Sequence, residues 1–478
     1  MNSTTVITSQ LTEYLHTYAS HGYFNGSVLV AHQGNILLAD GYGMANMEHD
    51  VPNTSKTKFR IASITKPITA TVIFRLMEQG LLSLTDRLAT YFPDFPHADE
   101  ITIHHLLSHT SGIPNYTARP DFWDSIMRLP ATREKMLAQM TEYPLDFQPG
   151  ERYNYSNSGY MLLSYIIEDI TGLTYPQAVK QFVTDPLGMH DTGVDDGYVL
   201  LKNRATGYGV DGGIVHAPTT DMSVTYGAYG MYSTVEDLHR FAQALSRGTL
   251  LGPESFEQMT TIVQEDYACG WAVHEFDTPH YGRQKRLCHY GDICGFCVDL
   301  LIYPEIELIV VVLSNIGVTP TVKFSRDLSK LILDVEVEMP EMKRSVEETA
   351  GMVMSEEELM PFLGIYQIEG TDRTVEISLV AGVTDEQRER SETVSSNRPS
   401  DDIKPTSPGI PHLLITKQNQ YGGVDRYHLT ITGILADTVQ AVTHHIWEKV
   451  CFTRASDGNV TALTYEDVYG IKWTAQRK

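Results

Sequence analysis

The segment FRIASITKPITATVIFRLMEQG, residues 59–80, is the most informative part of the sequence for both fold and chemistry. Its apolar residues recur at helical spacing, and Gly80 stands where that helix is expected to end. Ser63-Ile64-Thr65-Lys66 opens the helix, so one helical turn brings an amine beside a hydroxyl. A buried amine with a lowered pKa can take the hydroxyl proton, and free N–H groups at a helix start favour negative charge. The stretch therefore predicts a nucleophile, Ser63, with Lys66 as its base.

The same four-residue spacing occurs a second time, between Ser55 and Lys58. A chain of this length is expected to contain about one such match by chance, so the spacing alone is weak evidence. Ser55 precedes a strand-like segment, whereas Ser63 opens an amphipathic helix. The helix context favours Ser63.

A Tyr-x-Asn element, Tyr155-Ser156-Asn157, lies in the polar turn PGERYNYSNSGY before a predicted helix. A phenol near a lysine amine can share proton transfer, and an amide can hold a substrate carbonyl. A buried tyrosine that anchors the loop is the alternative interpretation. The similar Tyr23-Phe24-Asn25 stands at the start of a strand and is less suited to a cleft.

His289-Tyr290-Gly291 precedes an apolar strand region. A donor side chain followed by glycine at a strand edge can line a cleft and expose backbone N–H groups. Two other His-x-Gly sequences begin at His32 and His280. We favour His289 because Gly295-Phe296 and a long strand follow it, whereas His280 precedes the basic turn RQKR.

These three motifs, in this order, resemble the serine β-lactamase and penicillin-binding-protein-like family, in particular its class C-like branch. ITIHHLLSHTSGIP, PLGMHDTG and GAYGMYSTVEDLHRF support the resemblance, which spans roughly residues 10–335. It implies an α/β (α+β) fold, with an antiparallel sheet flanked by helices. Residues 358–478 resemble the lipocalin-like β-barrels that are appended to some relatives.

The resemblance also implies roles for individual residues. Ser63 would be the nucleophile, Lys66 and Tyr155 would share general acid and base work, and Asn157 would hold the substrate amide or acyl side chain. The backbone N–H groups of Ser63 and Asp292 would form the oxyanion hole. No cofactor or metal is implied.

Two departures from the family pattern concern the substrate anchor. His289 stands where many relatives carry the lysine of a K-T-G motif, with Gly291 at the glycine position. A histidine is charged only below its pKa, near 6.5 if unperturbed, so its hold on a substrate carboxylate is weaker. Asp292, directly after Gly291, disfavours an anionic substrate tail nearby.

The sequence beyond the motifs predicts two domains with a linker between them. A helix over 8–20, a hairpin turning at Gly34-Asn35 and a late antiparallel meander from about 269 bracket a mostly helical middle. We expect a hydrolase domain over 1–335, an acidic linker over 336–357 and an all-β barrel over 358–478. Within the barrel, the polar stretch 384–409 is expected to be a surface loop.

Composition narrows the classes of partner. Of 478 residues, 42% are hydrophobic, and 36 Lys and Arg against 60 Asp and Glu give a formal net charge of −24. This charge argues against nucleic acid and anionic membranes as partners. The start of the chain lacks a signal-peptide pattern, and five cysteines fit a reducing compartment, so we expect a cytoplasmic location. A homo-oligomer is compatible with these features.

Two clusters invite a metal interpretation. Cys288, His289, Cys294 and Cys297 contain a C-x2-C pair, but no second pair lies nearby, and small apolar fillers in a sheet explain the thiols better. The histidines of the segment His104-His105-x3-His109 match a structural segment of the family, and His444-His445 carries no further signal. We therefore expect no metal site.

The expected activity is that of a serine hydrolase on a small-molecule or peptide substrate, most simply a peptidase or amidase, including on D-amino-acid compounds. Carboxylesterase or β-lactamase activity, acyl transfer or peptide cyclisation, and a penicillin-binding-type sensor without turnover are the alternatives. The sequence leaves the substrate, its stereochemistry and the acyl acceptor open.

Overall fold

A computed structural model describes residues 3–119, 121–123, 125–337, 354–380, 411–418, 424–443, 446 and 448–478. These residues form two compact units. The first takes in the described residues up to 207, residues 217–317 and those from 321 to 337. The second takes in 208–216, 318–320 and the described residues from 354 onward.

The first unit is built on a six-stranded antiparallel sheet with the order β10-β11-β12-β13-β1-β2. N- and C-terminal parts of the unit meet in it, because β1 pairs with β2 on one side and with β13 on the other. In chain order, the described strands up to residue 314 are β1 (Gly26–His32), β2 (Asn35–Tyr42), β3 (Met44–Asn46), β4 (Val51–Pro52), β5 (Phe59–Arg60), β6 (Gly193–Val194), β7 (Tyr208–Val210), β8 (Ile214–His216), β9 (Met231–Ser233), β10 (Ala272–Thr278), β11 (Gly282–Ile293), β12 (Phe296–Tyr303) and β13 (Leu308–Ser314). Of these, β7 and β8 belong to the second unit. The predicted hairpin and late meander are thus confirmed as one sheet.

Helices cover both faces of this sheet. The described helices of this unit, some of which lie away from the sheet, are α1 (Ser3–Ser20), α2 (Thr65–Glu78), α3 (Ile103–Leu107), α4 (Arg133–Thr141), α5 (Asn157–Thr171), α6 (Tyr175–Val179), α7 (Asp185–Leu187), α8 (Tyr226–Tyr229), α9 (Val235–Ser246), α10 (Pro253–Thr260) and α11 (Thr321–Ile332). Leu29 and Ala31 of β1 join the larger core with α2, α5 and α9, whereas Val28 and Val30 join a second core with α1 and α11. Every residue of β12 and β13 is buried, as two covered faces require.

One helix start differs from the sequence expectation. Ser233 and Glu236 fit a capping-box pattern, but Ser233 is the last residue of β9. Its hydroxyl is hydrogen-bonded to the hydroxyl of Thr192. Thr234 is the residue that caps α9, and its side chain accepts a hydrogen bond from the Asp237 N–H. The strand therefore runs one residue further than the pattern predicts.

Among the described residues, the end of β11 lacks a strand partner on one side, which leaves room there for another part of the chain. β10 pairs with β11 only as far as Cys288, so within the described chain residues 289–293 of β11 have β12 as their sole strand partner. The edge of β11 that has no described strand partner lies against the short 3₁₀ turn Ala62–Ile64 between β5 and α2. Gly291 packs there directly on the Ser63 backbone.

The second unit is a closed antiparallel barrel of eight strands, preceded by the short helix α12 (Glu356–Leu359). Its strands are β14 (Gly364–Ile368), β15 (Thr374–Val380), β16 (His412–Gln418), β17 (Val424–Ile434), β18 (Thr438–Thr443), β19 (Lys449–Arg454), β20 (Val460–Glu466) and β21 (Lys472–Arg477). Alternate side chains such as Ile377, Ile415, Phe452 and Leu463 are buried inside it. The strand spacing is compatible with a barrel or a sandwich, and the lipocalin-like barrel that the resemblance implies is confirmed.

The hairpin of β7 and β8 also belongs to this unit, although it lies far earlier in the chain than the barrel. Asp211 accepts a hydrogen bond from the Arg426 guanidinium at 3.1 Å, and the Gly212 N–H donates to the Arg426 carbonyl at 3.0 Å. The expected domain division did not include this hairpin.

Some predicted features lie outside the described residues. These are most of the acidic linker, the polar loop over 384–409, and the pair His444-His445. Among the helices that are described, none is both long and apolar enough to cross a membrane.

Candidate active site

Ser63 lies in the tight turn between β5 and α2. Ala62, directly before it, has a φ of +44°, a left-handed conformation that costs a residue with a side chain roughly 1–3 kcal/mol. The flanking strand is fixed, since the Ile61 N–H donates to the Met231 carbonyl at 2.9 Å and the Arg60 guanidinium pairs with Asp195 at 2.8 Å. The surrounding structure thus holds Ser63 in a strained turn at the start of α2.

Lys66 lies fully buried one turn further along. Its Nζ is 3.1 Å from Ser63 Oγ, 2.8 Å from Asn157 Oδ1 and 2.9 Å from the Ala228 carbonyl oxygen. Burial lowers the pKa of the ammonium group well below its usual value, and the negative charge of Asp292 opposes part of that effect. The environment therefore favours a neutral amine.

The three hydrogen-bond partners of Lys66 determine which of them a neutral amine can donate to and which it can accept from. It has two N–H bonds and one lone pair, and the Asn157 and Ala228 oxygens can only accept hydrogen bonds. The two N–H groups are engaged by these oxygens, which leaves the lone pair for the Ser63 hydroxyl. This arrangement suits removal of the Ser63 proton.

Tyr155 approaches the same hydroxyl from the other side. Its OH donates to Ser63 Oγ at 2.8 Å, and its ring lies 4.6 Å from Lys66 Nζ. Burial raises the pKa of the Tyr155 phenol well above its usual value, with the hydrogen bond to Ser63 acting in the opposite direction. The phenol therefore keeps its proton at neutral pH and can donate it as a hydrogen bond.

Asn157 begins α5 and bridges two groups. Its Oδ1 accepts from Lys66, and its Nδ2 donates to Thr117 Oγ1 at 2.9 Å, while its own N–H donates to Asn115 Oδ1 at 3.1 Å. The family resemblance gave Asn157 the role of holding a substrate amide. Here both ends of its side-chain amide already have partners, Lys66 at Oδ1 and Thr117 at Nδ2.

His289 requires a correction of the charge expected for it. It is buried, its Nδ1 lies 2.7 Å from the Tyr290 carbonyl oxygen and its Nε2 lies 3.1 Å from the Tyr267 hydroxyl. The carbonyl can only accept, so Nδ1 carries the hydrogen and Nε2 accepts from Tyr267. Burial, reinforced by Lys66, lowers the pKa of His289 to about 3. The imidazole is therefore neutral at pH 6, where an unperturbed histidine with a pKa near 6.5 would be partly charged.

Gly291 and Asp292 continue β11 past Ser63. A Cβ at Gly291 would lie 2.7 Å from the Ser63 nitrogen and 2.9 Å from the Ile61 oxygen, so this position needs glycine. Alternation along the strand places the side chains of Tyr290 and Asp292 on the opposite face from His289 and Gly291, and the Tyr290 OH donates to Asp292 at 3.2 Å. Only the backbone of residue 292 is then expected to face the reacting group.

The rival sequence matches are engaged elsewhere. Ser55 Oγ donates to Glu236 at 2.8 Å and Lys58 pairs with Asp191 at 2.7 Å, so they do not form a pair with each other. Asn25 binds Asn315, and His280 is an exposed partner of Asp334. The structure brings together Ser63, Lys66, Tyr155 and Asn157, and sets His289, Gly291 and Asp292 along the adjoining strand.

The cysteines of the zinc interpretation are spread over both faces of the sheet. Cys294 Sγ lies 3.0 Å from Thr220 Oγ1, and Cys297 Sγ contacts the Gly317 carbonyl at 3.1 Å. Within the described ranges, no group of three or more His, Cys, Asp or Glu side chains could hold a metal ion.

Residues 10–333 match the Beta-lactamase family. The chain belongs to this family. The putative penicillin-binding protein PbpX of Bacillus subtilis strain 168 is 32% identical to it over 239 residues, which is 50% of this chain and 59% of PbpX. The chain thus spans less than two thirds of that relative.

Two solved structures share the fold. The octameric penicillin-binding protein homologue from Pyrococcus abyssi is 23% identical with a TM-score of 0.61, and the match covers 98% of this chain and 99% of the homologue. The D-amino acid amidase from Ochrobactrum anthropi SV3 is 22% identical with a TM-score of 0.58, covering 69% and 97%. At these identities the similarity concerns the fold alone.

Proposed function

We propose that this chain is a serine hydrolase that works through an acyl-enzyme at Ser63. The observation that carries the proposal is the position of Ser63 Oγ, 3.1 Å from a buried lysine amine and 2.8 Å from a tyrosine hydroxyl. An amine that favours its neutral form and a phenol that keeps its proton supply a base and an acid at one oxygen.

In the proposed acylation, Ser63 Oγ attacks the substrate carbonyl carbon while its proton passes to Lys66 Nζ. The carbonyl electron pair moves to oxygen, and the backbone N–H groups of Ser63 and Asp292 stabilise the resulting oxyanion. As the tetrahedral intermediate collapses, the Tyr155 hydroxyl protonates the leaving group and recovers a proton from Lys66. Water then attacks the ester by the same route in reverse, or an amine does so in acyl transfer.

For the substrate, we propose a small peptide or amide with an uncharged tail next to the scissile bond, including compounds of D-amino acids. A neutral His289 cannot supply the permanent positive charge that a lysine would offer to a carboxylate. The fold shared with a D-amino acid amidase is compatible with this class. A carboxylesterase is the second candidate, because an ester offers the same neutral tail and a better leaving group.

The test is the intact mass of the protein after incubation with D- and L-peptide amides, esters and β-lactams. We expect an adduct on wild type and on Ser55→Ala, the matched control from the rival Ser-x-x-Lys spacing, and none on Ser63→Ala. An adduct that persists on Ser63→Ala would contradict the mechanism. A burst with no steady turnover for every substrate would leave a penicillin-binding-type sensor instead of an enzyme.

We also propose that the chain assembles with copies of itself. The homologue from Pyrococcus abyssi is described as octameric, and its similarity extends over 98% of this chain, barrel included. Light scattering coupled to size-exclusion chromatography should then give a molar mass of at least twice the 53.6 kDa of one chain. A mass of one chain at micromolar concentration would count against assembly.

A further inference from the structure

His109 lies at the centre of a cage of tyrosine rings beneath the site. It is 1% exposed, and the centroid of its ring is 4.3 Å from that of Tyr155. Tyr267 follows at 4.9 Å, Tyr160 at 5.2 Å and Tyr153 at 5.9 Å. The family segment that contains His109 is thus packed directly against the tyrosine that contacts Ser63.

His109 also fixes the backbone on both sides of Tyr155. Its carbonyl oxygen accepts from the Asn154 N–H at 2.9 Å, and its Nδ1 accepts from the Ser156 N–H at 3.1 Å. The residue itself has a φ of +58°, which histidine and asparagine tolerate better than most side chains. One residue therefore holds the backbone at positions 154 and 156, and its ring packs at a tilt against the ring of Tyr155 between them.

The contact with Ser156 sets the form of the imidazole. Because Nδ1 accepts an N–H, the ring hydrogen is on Nε2, and that atom has no hydrogen-bond partner in the part of the chain that the structure describes. Burial and the neighbouring Lys66 and His289 lower the pKa of His109 well below its usual value, so it stays neutral.

We propose that His109 is a positioning residue whose ring and Nδ1 hold the Tyr155 hydroxyl on Ser63. This inference rests on the proposed function, in which Tyr155 is the proton donor. His109 does not touch the reacting atoms, so its contribution should pass through Tyr155 and disappear when the phenol is absent.

The experiment is a double-mutant cycle with His109→Asn and Tyr155→Phe, read as the acylation rate of Ser63 by an acyl p-nitroanilide, whose amine leaving group has to be protonated. Asparagine tolerates a φ of +58° and keeps an oxygen acceptor, but it removes the ring that packs against Tyr155. A hydroxyl displaced by about 1 Å can lower the rate about 100-fold. We therefore expect a loss of that order in the wild-type background and a change below about 3-fold in the Tyr155→Phe background.

The matched control is His239→Asn on α9, since His239 is also a buried histidine whose Nε2 lacks a described partner. We expect it to leave the acylation rate unchanged, whatever its effect on thermal stability. Equal losses from His109→Asn with and without the Tyr155 hydroxyl would overturn the inference, because a general loss of packing acts in both backgrounds.

The outcomes also separate this inference from the proposed function. If Ser63→Ala still forms an adduct, the proposed function fails first. If Tyr155→Phe alone leaves the acylation rate unchanged, the donor role of Tyr155 fails, and the inference fails with it.

A measurement on the unaltered protein covers the case in which His109→Asn does not fold. Selective ¹⁵N labelling of histidine should show His109 neutral, with its hydrogen on Nε2 and Nδ1 bonded to the Ser156 N–H. A hydrogen on Nδ1 would break the link to Ser156 and refute the inference.

Discussion

Asp299 is a carboxylate buried between the main sheet and α11. It lies on β12, is 2% exposed, and accepts a hydrogen bond from the Ser325 hydroxyl. Burial raises its pKa from 3.8 to about 7, although Ser325 and the charges of Arg326 and Arg286 act in the opposite direction. The folded protein therefore keeps a proton on Asp299 that the unfolded chain releases near pH 4.

The sign and size of the effect on stability follow from these two pKa values. Between about pH 4 and pH 7 the folded state binds more protons than the unfolded state, so the free energy of unfolding falls as the pH rises. Each pH unit in this window contributes about 1.4 kcal/mol, which gives a loss of about 4 kcal/mol across it. Above pH 7 the loss is complete, and below pH 4 it is absent.

The substitution Asp299→Asn should remove this dependence, because asparagine stays neutral and keeps an oxygen for Ser325. We expect the variant to gain on wild type by about 4 kcal/mol between pH 4 and pH 7.5, measured by guanidinium unfolding at a series of pH values. Asp94→Asn, at an exposed loop position, is the control and should show no such trend. A constant difference between Asp299→Asn and wild type over that range would refute the reasoning.

Four further predictions concern the site and the barrel. Lys66→Ala and Tyr155→Phe should each lower acylation by about 10²–10⁴-fold with the fold intact by circular dichroism, and near-normal rates in both would remove their roles. The ratio of kcat/KM for a peptide amide to kcat/KM for the matching free acid should be the same at pH 6 and pH 8, because His289 stays neutral at both. His289→Lys should raise kcat/KM for the acid. A ratio that changes between the two pH values would point to another titrating group. Thr117→Val frees the Asn157 amide to turn away from Lys66 and should lower kcat about 10-fold, whereas an unchanged kcat would show that Asn157 holds its orientation without it. A chain that ends at residue 339 should stay soluble, but a protease should cleave it faster than the full chain between residues 208 and 216, because the hairpin there loses its contacts with Arg426. An insoluble product would show that the two units fold only together.

Most of the fold could be predicted from local patterns. The hydrophobic period of residues 67–78, the Gly34-Asn35 turn and the apolar runs of β12 and β13 each specify an element without help from the rest of the chain. The order of three short motifs then indicated which elements meet. The hairpin over 208–216 could not be placed in this way, because its partner Arg426 lies more than 200 residues later.

The candidate site was only partly visible in the sequence. Ser63, Lys66 and Tyr155 belong to recognisable spacings, but the third partner of Lys66 is a backbone carbonyl, Ala228, and no residue type marks that group. Thr117 is an ordinary hydroxyl three residues past the turn at 111–114, and no feature of the sequence distinguishes it. His289 was found, yet its charge state was not, because burial and the Tyr267 hydroxyl come from tertiary structure.

The close packing of Gly291 on the Ser63 turn limits how the specificity of this protein can evolve. The atoms that a side chain at 291 would meet are backbone atoms of Ser63 and Ile61, and they cannot move without shifting the nucleophile itself. Mutational paths through this position are therefore closed, whereas Tyr290 and Asp292 on either side point to the other face of the strand and can vary. Substitutions at 290 and 292 should therefore leave the Ser63 turn in place, whereas residue 291 has to stay glycine.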